Sequence, residues 1–197
     1  MNRLGFYFTL IFLCAFTARV SAQEQLPESN AAKGQTTTSH RVHTSLAPEL
    51  EKFRPFINRT YRGEYRDEKS GKVSIDISQW QRALNGQAIR VIHSLDQGRY
   101  GGETLFFFDK NQSSVRFYYF TTAGFYTEGS VNFEGDTLVS TEAVNGEASG
   151  ITSVVSKAQL NHKGVMTVDS TYLKGEAIVN TSHAVYTPIA HQDPQFK

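Results

Sequence analysis

The stretch "SQWQRALNGQAIRVIHS", residues 78–94, carries the strongest indication of the fold, an Asn85-Gly86 pair between two segments of alternating residues. Asn-Gly is the strongest short signal for a β-hairpin, because both residues tolerate positive φ angles. The predicted hairpin places Ser78 opposite His93. Hydrophobic and polar residues alternate along the second strand, so His93 shares a face with apolar neighbours.

Similar turn signals recur roughly every 8 to 14 residues from Thr60 onward, and the segments between them are rich in Val, Ile, Thr, Phe and Tyr. Nine such turns separate ten candidate strands. We therefore predict an all-β fold, a ten-stranded antiparallel up-and-down barrel, because closing the sheet removes its edges. A β-sandwich is the main structural alternative.

A second hairpin, "SVRFYYFTTAGFYTEGS" at residues 114–130, divides its side chains between two faces. A three-residue loop with Gly124 in the left-handed region places Thr121 opposite Phe125. One face is then apolar and the other is mixed. We predict that the apolar face lines the interior, because exposing it would create a large hydrophobic patch. A mixed, polar and aromatic interior is the alternative. The apolar face comprises Phe106, Val115, Phe117, Tyr119 and Phe125, and the mixed face comprises Glu103, Arg116, Tyr118, Tyr126 and Glu128.

Two local patterns depart from regular alternation. The hydrophobic series Val73, Ile75, Ile77 is out of phase with Trp80, which predicts a β-bulge near residues 78–79. In "QGRYGGET", residues 97–104, three glycines predict a tight turn followed by a close approach of backbone segments.

The N-terminal residues 1–22 have the pattern of a secretory signal peptide: a short basic start, an apolar run and small residues before a cleavage site. The apolar run of about 13 residues is shorter than the roughly 20 that span a bilayer. We therefore expect export, with a periplasmic or extracellular location. Residues 23–43 are polar and predict a disordered linker. We expect the barrel domain over 44–190 and a C-terminal tail over 191–197.

At the start of the domain, residues 44–57 read "TSLAPELEKFRPFI". Leu46, Leu50, Phe53 and Ile57 form one apolar stripe, which predicts a short amphipathic helix packed on the barrel.

Composition excludes several classes of function. The net charge is +1, from 20 Lys and Arg residues against 19 Asp and Glu residues, and no basic run is present. Nucleic acid is therefore not an expected partner. The single cysteine, Cys14, lies in the predicted signal peptide. A mature chain without it has neither thiol catalysis nor thiolate metal sites.

Histidines and carboxylates are the candidates for chemistry. A neutral imidazole at His93 can bind a ligand, coordinate haem iron or act as a base; alternatively it is a core residue satisfied by Ser78 or a backbone carbonyl. His183 alternates with apolar residues on the last strand and is the second candidate for a haem ligand. Glu103 and Glu128 could supply acid–base chemistry with His93, or form structural ion pairs with Arg116.

The predicted helix leading into "NRTYRGEYRDE", the hairpin at 78–94 and the ten-strand meander resemble the calycin-type small β-barrels. These include lipocalin-like proteins, fatty-acid-binding-like proteins and the haem barrels called nitrobindins. The sequence patterns W-x-R-x-L-N-G and "YYFTTAGFYTEG" are also similar to patterns in exported or cytosolic bacterial domains of unknown function. Lipocalins begin their first strand with G-x-W, whereas this chain has Arg59-Thr60-Tyr61. In nitrobindins a histidine late in the chain holds the iron, a position that only His183 could match.

From these patterns we expect a binding protein more than an enzyme, with a small apolar or amphipathic molecule inside the barrel and no cofactor. The alternatives are a haem barrel that uses His183 or His93, and an acid–base enzyme. No later segment predicts a transmembrane span, and neither oligomeric state nor ligand identity follows from the sequence. The residues expected to line the ligand site are Trp80, His93, Phe106, Phe117, Tyr119 and Phe125.

Overall fold

The computed structural model describes residues 45–66, 73–144 and 150–197. The predicted signal peptide (1–22) and linker (23–43) lie outside these residues. Within the described part of the chain, no helix has the length and hydrophobicity needed to cross a membrane.

Ten antiparallel strands form one closed barrel, which confirms the predicted all-β fold. Each strand pairs with its neighbours in the sequence, and the ring closes where β1 pairs with β10, with Thr60 opposite Ile189. The closed ring excludes the sandwich. The strands are β1 (Arg59–Arg66), β2 (Val73–Ala83), β3 (Ala88–Leu95), β4 (Tyr100–Asp109), β5 (Ser114–Thr121), β6 (Tyr126–Glu134), β7 (Thr137–Ala143), β8 (Ser153–Leu160), β9 (Met166–Lys174) and β10 (Ala177–Ile189).

Both hairpin registers predicted from the sequence are confirmed. Ser78 lies opposite His93, and Phe117 lies opposite Gly129. The apolar face of the second hairpin is the interior one, since the ring of Phe106 packs against that of Phe117 with centroids 5.5 Å apart. The mixed face is the outer surface of the barrel, where Tyr126 is 57% exposed.

The N-terminal segment 45–58, here called the plug, closes one end of the barrel. Instead of the predicted amphipathic helix it contains a six-residue 3₁₀ helix, Pro48–Phe53. Pro48 at its start and Pro55 just after it leave little room for a longer helix. The predicted apolar stripe is nevertheless confirmed as the buried face, because Leu50 and Phe53 are fully buried.

The predicted bulge in β2 is wrong. The pairing of β2 with both β1 and β3 is continuous from end to end. Ile75 and Ile77 instead point to the outside of the barrel, and Ile77 is buried there. The residues that face this part of the surface belong to the C-terminal tail, such as Gln195.

The tail, residues 191–197, lies along the outer surface of β2 and β3. The amide of Gln195 donates to the hydroxyl of Ser94 at 3.0 Å. The glycines of "QGRYGGET" allow this contact: a Cβ added at Gly98 would lie 2.5 Å from the carbonyl oxygen of Gln195, and one at Gly101 would lie 3.1 Å from the ring of Phe196. The close approach of backbone segments predicted for these glycines is thus confirmed.

Candidate functional site

The interior of the barrel has two parts of different chemistry. The apolar half, next to the plug, is filled by rings: Trp80 stacks on Phe56 and on Phe106, with centroids 5.6 and 6.0 Å apart. Phe53 is fully buried against the same group, 5.3 Å from Phe106. Of the predicted ligand-lining residues, Trp80, Phe106 and Phe117 lie here, in the packed core.

The polar half, toward the β3–β4 turn, brings the other two inward-facing predicted residues together. His93 and Tyr119 project from β3 and β5, and their ring centroids lie 5.6 Å apart. Gly102 stands between them on β4, opposite His93. A Cβ at Gly102 would collide with the ring of Tyr119, so the glycine provides the space in which the two side chains meet. The polar half comprises Tyr65, Asp76, His93, Tyr100, Tyr119, Thr127, Glu142, Ser156, Ser170, Tyr172 and Tyr186.

Six side chains from six strands form one chain of hydrogen bonds across the polar half. Tyr65 meets Tyr186 hydroxyl to hydroxyl, and Tyr186 donates to Asp76 Oδ2 at 2.9 Å. His93 Nδ1 lies 2.9 Å from Asp76 Oδ1, and His93 Nε2 lies 2.7 Å from the Tyr119 hydroxyl. The Tyr119 hydroxyl is also 3.1 Å from that of Tyr100.

The buried carboxylate of Asp76 determines the direction of the donors in this chain. Asp76 is only 3% exposed and accepts from Tyr186 on one oxygen and from the His93 Nδ1–H on the other. Charge-assisted bonds of this kind compensate the cost of burying a carboxylate. Because Tyr186 uses its proton for Asp76, Tyr65 must donate to Tyr186. Asp76, itself held by Tyr186, therefore keeps the imidazole of His93 in a defined orientation.

Beyond His93 the network continues through two tyrosine hydroxyls. The Tyr119 hydroxyl donates to that of Tyr100 at 3.1 Å. The Tyr100 hydroxyl accepts this bond and keeps its own proton, so it can donate at the end of the network.

The tyrosine hydroxyls remain protonated donors at physiological pH. Burial raises the pKa of Tyr119 well above its ordinary value, and the neighbouring Tyr100 adds to the shift. Burial also raises the pKa of Tyr186 and Tyr65. The polar half is thus a set of neutral hydroxyl groups arranged around one aspartate–histidine pair.

Glu142 is the second carboxyl group of the polar half. Burial raises its pKa above the ordinary value of 4.5. The hydroxyl of Thr127 partly offsets this shift, although no hydrogen bond of normal geometry joins the two groups. Glu142 lies near the end of the hydrogen-bond chain, because Tyr119 is opposite Thr127 on β6, the strand that pairs with β7. It also interacts electrostatically with the hydroxyls of Tyr100 and Tyr119.

The remaining predicted candidates lie elsewhere. Phe125 lies in the turn before β6, and its carbonyl accepts from the amide of Thr121 at 3.1 Å. Glu103 and Glu128 face outward and pair with Arg90 and Arg116. They are on the opposite side of the sheet from His93, so the geometry does not support an acid–base site that joins them to it.

The histidines do not fit a haem held inside the barrel. His183 is on the outer surface, where its side chain is 59% exposed and its Nδ1 lies 2.6 Å from Asp169 Oδ1. Both ring nitrogens of His93 already make hydrogen bonds. Among the described residues, no group of three His, Cys, Asp or Glu side chains is placed to hold a metal ion.

Two clefts lie on the outer surface between the tail and the barrel, with volumes of about 450 and 350 Å³. Neither includes His93 or any residue of its hydrogen-bond chain. The polar half of the interior is therefore the stronger candidate, because it concentrates the titratable groups and orients them.

Sequence reasoning found His93 and Tyr119 and missed their partners. Asp76 could have been found, because the hairpin register places it on the His93 face, opposite Leu95. Tyr186 had no comparable signal, since its position beside Asp76 depends on the closure of β10 onto β1. No protein-family model and no curated protein sequence matches the chain, so the calycin assignment stays a prediction.

Proposed function

We propose that the barrel binds a small amphipathic molecule in its polar half, with the polar group of the ligand hydrogen-bonded to the His93–Tyr119–Tyr100 end of the network. The observation that carries the proposal is the exposure of His93. Its side chain points into the barrel and is held by two hydrogen bonds, yet 22% of its surface is accessible. A space that water can enter therefore reaches an oriented imidazole.

The distribution of burial limits where such a ligand can lie. In the apolar half, Leu50, Phe53 and Ile89 have no accessible surface, so a ligand cannot extend toward the plug. In the polar half, Tyr100, Tyr119 and Tyr172 are only half-buried. Their rings supply apolar area, and their hydroxyls supply hydrogen bonds. Binding sites typically combine a mostly apolar wall with a few fixed polar groups.

The hydrogen-bond network also preorganises the site for binding. His93 is fixed by Asp76, and Tyr119 is fixed by His93, so few side chains lose freedom when a ligand enters. The signal-peptide pattern supports the further proposal that binding takes place outside the cytoplasm.

Native mass spectrometry of protein purified from its own host tests the proposal. We expect an additional mass on the wild-type protein that disappears on denaturation, and a smaller bound fraction in Tyr119→Phe and His93→Gln. Tyr126→Phe is the matched control, because it removes the same hydroxyl from the exposed outer surface. Wild-type protein without additional mass, or equal loss in the control, would contradict the proposal.

A further inference from the structure

We propose that the ligand of the polar half carries a protonated amine, which pairs with the carboxylate of Glu142. This inference rests on the proposed function and adds the chemical class of the ligand. Glu142 lies on the inward face of β7, between Gly129 on β6 and Val154 on β8. The two residues directly opposite Glu142 thus offer no polar side chain, and the carboxyl group has no partner of opposite charge within the sheet.

The charges of the barrel are divided between its two surfaces. Three arginines on β1, β3 and β5 point outward and form ion pairs with outward carboxylates, Arg62 with Glu64, Arg90 with Glu103 and Arg116 with Glu128. Among the described strand residues of the polar half, the inward positions hold no Lys or Arg apart from Lys174, which is exposed at the end of β9.

The two inward carboxyl groups differ in how they are satisfied. Asp76 is compensated by His93 and by the hydroxyl of Tyr186. Glu142 has only the Thr127 hydroxyl beside it and no cation among the described residues, so its burial disfavours the charged form. A ligand cation would remove this penalty, whereas a ligand carboxylate would add a third negative group. The interior therefore selects against anions and for amines.

The surroundings of Glu142 suit an ammonium group in two further respects. Thr127 is only 3% exposed, and its Oγ1 makes no hydrogen bond of normal geometry, so this oxygen can accept one N–H of the ligand. Tyr100 and Tyr119 lie close enough to interact electrostatically with the carboxyl group. Their rings attract cations through their π-electron faces.

Three probes with the same phenylethyl group separate the classes of ligand: 2-phenylethylamine, 2-phenylethanol and 3-phenylpropionate, titrated by calorimetry into the protein at pH 8. We expect the amine to bind about tenfold more tightly than the alcohol, and the carboxylate to bind more weakly than both. In Glu142→Gln we expect the preference for the amine over the alcohol to disappear. Glu128→Gln is the matched control, because Glu128 faces outward on the adjacent strand, and there we expect the preference to persist.

Several results would overturn the proposal. If the alcohol or the carboxylate binds wild-type protein as tightly as the amine, the proposal is overturned without a measurement on any variant. An amine preference that survives in Glu142→Gln, or is lost equally in Glu128→Gln, also overturns it. If none of the probes binds at millimolar concentration, the amine proposal fails, while the native mass spectrum decides the proposed function separately.

Discussion

The Asp76–His93 and Asp169–His183 pairs differ mainly in their burial, which allows one to serve as the control for the other. Asp76 with His93 lies inside the barrel, and Asp169 with His183 lies on its surface. Exposed ion pairs contribute little because water screens them, whereas breaking a buried pair leaves unsatisfied polar groups.

Asp76→Asn should lower the free energy of unfolding by about 1–3 kcal/mol, because an amide cannot accept from both His93 and Tyr186. Asp169→Asn should change it by less than about 1 kcal/mol. Urea unfolding followed by the fluorescence of Trp80, the single tryptophan, measures both. Equal effects of the two substitutions would show that the internal pair has no structural role.

Glu142 should make stability depend on pH in the sense opposite to that of a salt-bridged carboxylate. Its raised pKa means that its contribution is fully present below about 4.5, the ordinary value, and is lost as the pH rises through the folded-state pKa. In the described part of the chain, Tyr100, Tyr119 and Thr127 are the groups that interact with it, and none of them supplies a positive charge.

Glu142→Gln should therefore raise the melting temperature at pH 8, and the difference from wild type should vanish below pH 4.5. Melting curves of both proteins across this pH range measure the effect. A difference that grows toward acid would mean that Glu142 is stabilised in its charged form. A higher melting temperature of Glu142→Gln at pH 8 would also show that the wild-type glutamate lowers the stability of the fold, as is common at functional sites.

At the scale of residues, sequence reasoning located His93 and its face because a tight turn determines the register of its hairpin. It could not locate the whole network, since Tyr65 and Tyr186 come from strands that meet only when the ring closes. The imidazole was predictable, but the donors and acceptors that orient it were not.

At the scale of elements, the plug supplies the apolar side chains that cover the hydrophobic interior at one end of the barrel. Phe53 reaches from the 3₁₀ helix into the interior, with its ring centroid 5.3 Å from that of Phe106 and 5.2 Å from that of Phe133. The hydroxyl of Tyr61, at the start of β1, also donates to the carbonyl of Phe56.

Phe53→Ala should cost about 3–5 kcal/mol of unfolding free energy, the usual cost of removing a buried aromatic ring. Phe120→Ala is the matched control, because the side chain of Phe120 is 51% exposed on the outer surface. Urea unfolding again gives the comparison. A loss below about 1 kcal/mol at Phe53 would indicate that the plug is not part of the cooperative unit.

The phase of β2 shows why element-scale prediction failed in one place. Ile75 and Ile77 read as inward residues because apolar side chains are usually buried in the core. They are outward, and Ile77 is covered by a segment more than a hundred residues later in the chain. Nothing in the polar tail signals that contact, so a bulge was the simpler interpretation of the pattern.

At the scale of the whole molecule, the barrel is a ring of hairpins in which neighbours share a strand. The residues that face inward on one hairpin therefore determine which residues face inward on the next. The register of one hairpin therefore predicted which residues point inward on several strands. The register of single hairpins does not predict two long-range contacts, the closure of β1 on β10 and the docking of the tail.

Removal of residues 191–197 should lower the free energy of unfolding by about 1.5–3 kcal/mol, comparable to exposing one buried Ile-sized side chain. Ile77, Gln79 and Ser94 all lose their cover on the outer surface. The far-ultraviolet circular dichroism spectrum should stay that of the intact barrel. An unchanged stability would mean that the tail is not docked in solution, and loss of the β-spectrum would mean that it is needed for folding.

The course of the tail has a practical consequence for handling this protein. It runs from the plug end, where β10 stops, toward the β3–β4 turn, so that Gln195 and Phe196 lie against Gly98 and Gly101. An affinity tag fused after Lys197 would begin beside the strand that carries His93, at the end of the barrel where a ligand would enter. Binding measurements should therefore use protein from which any C-terminal tag has been removed.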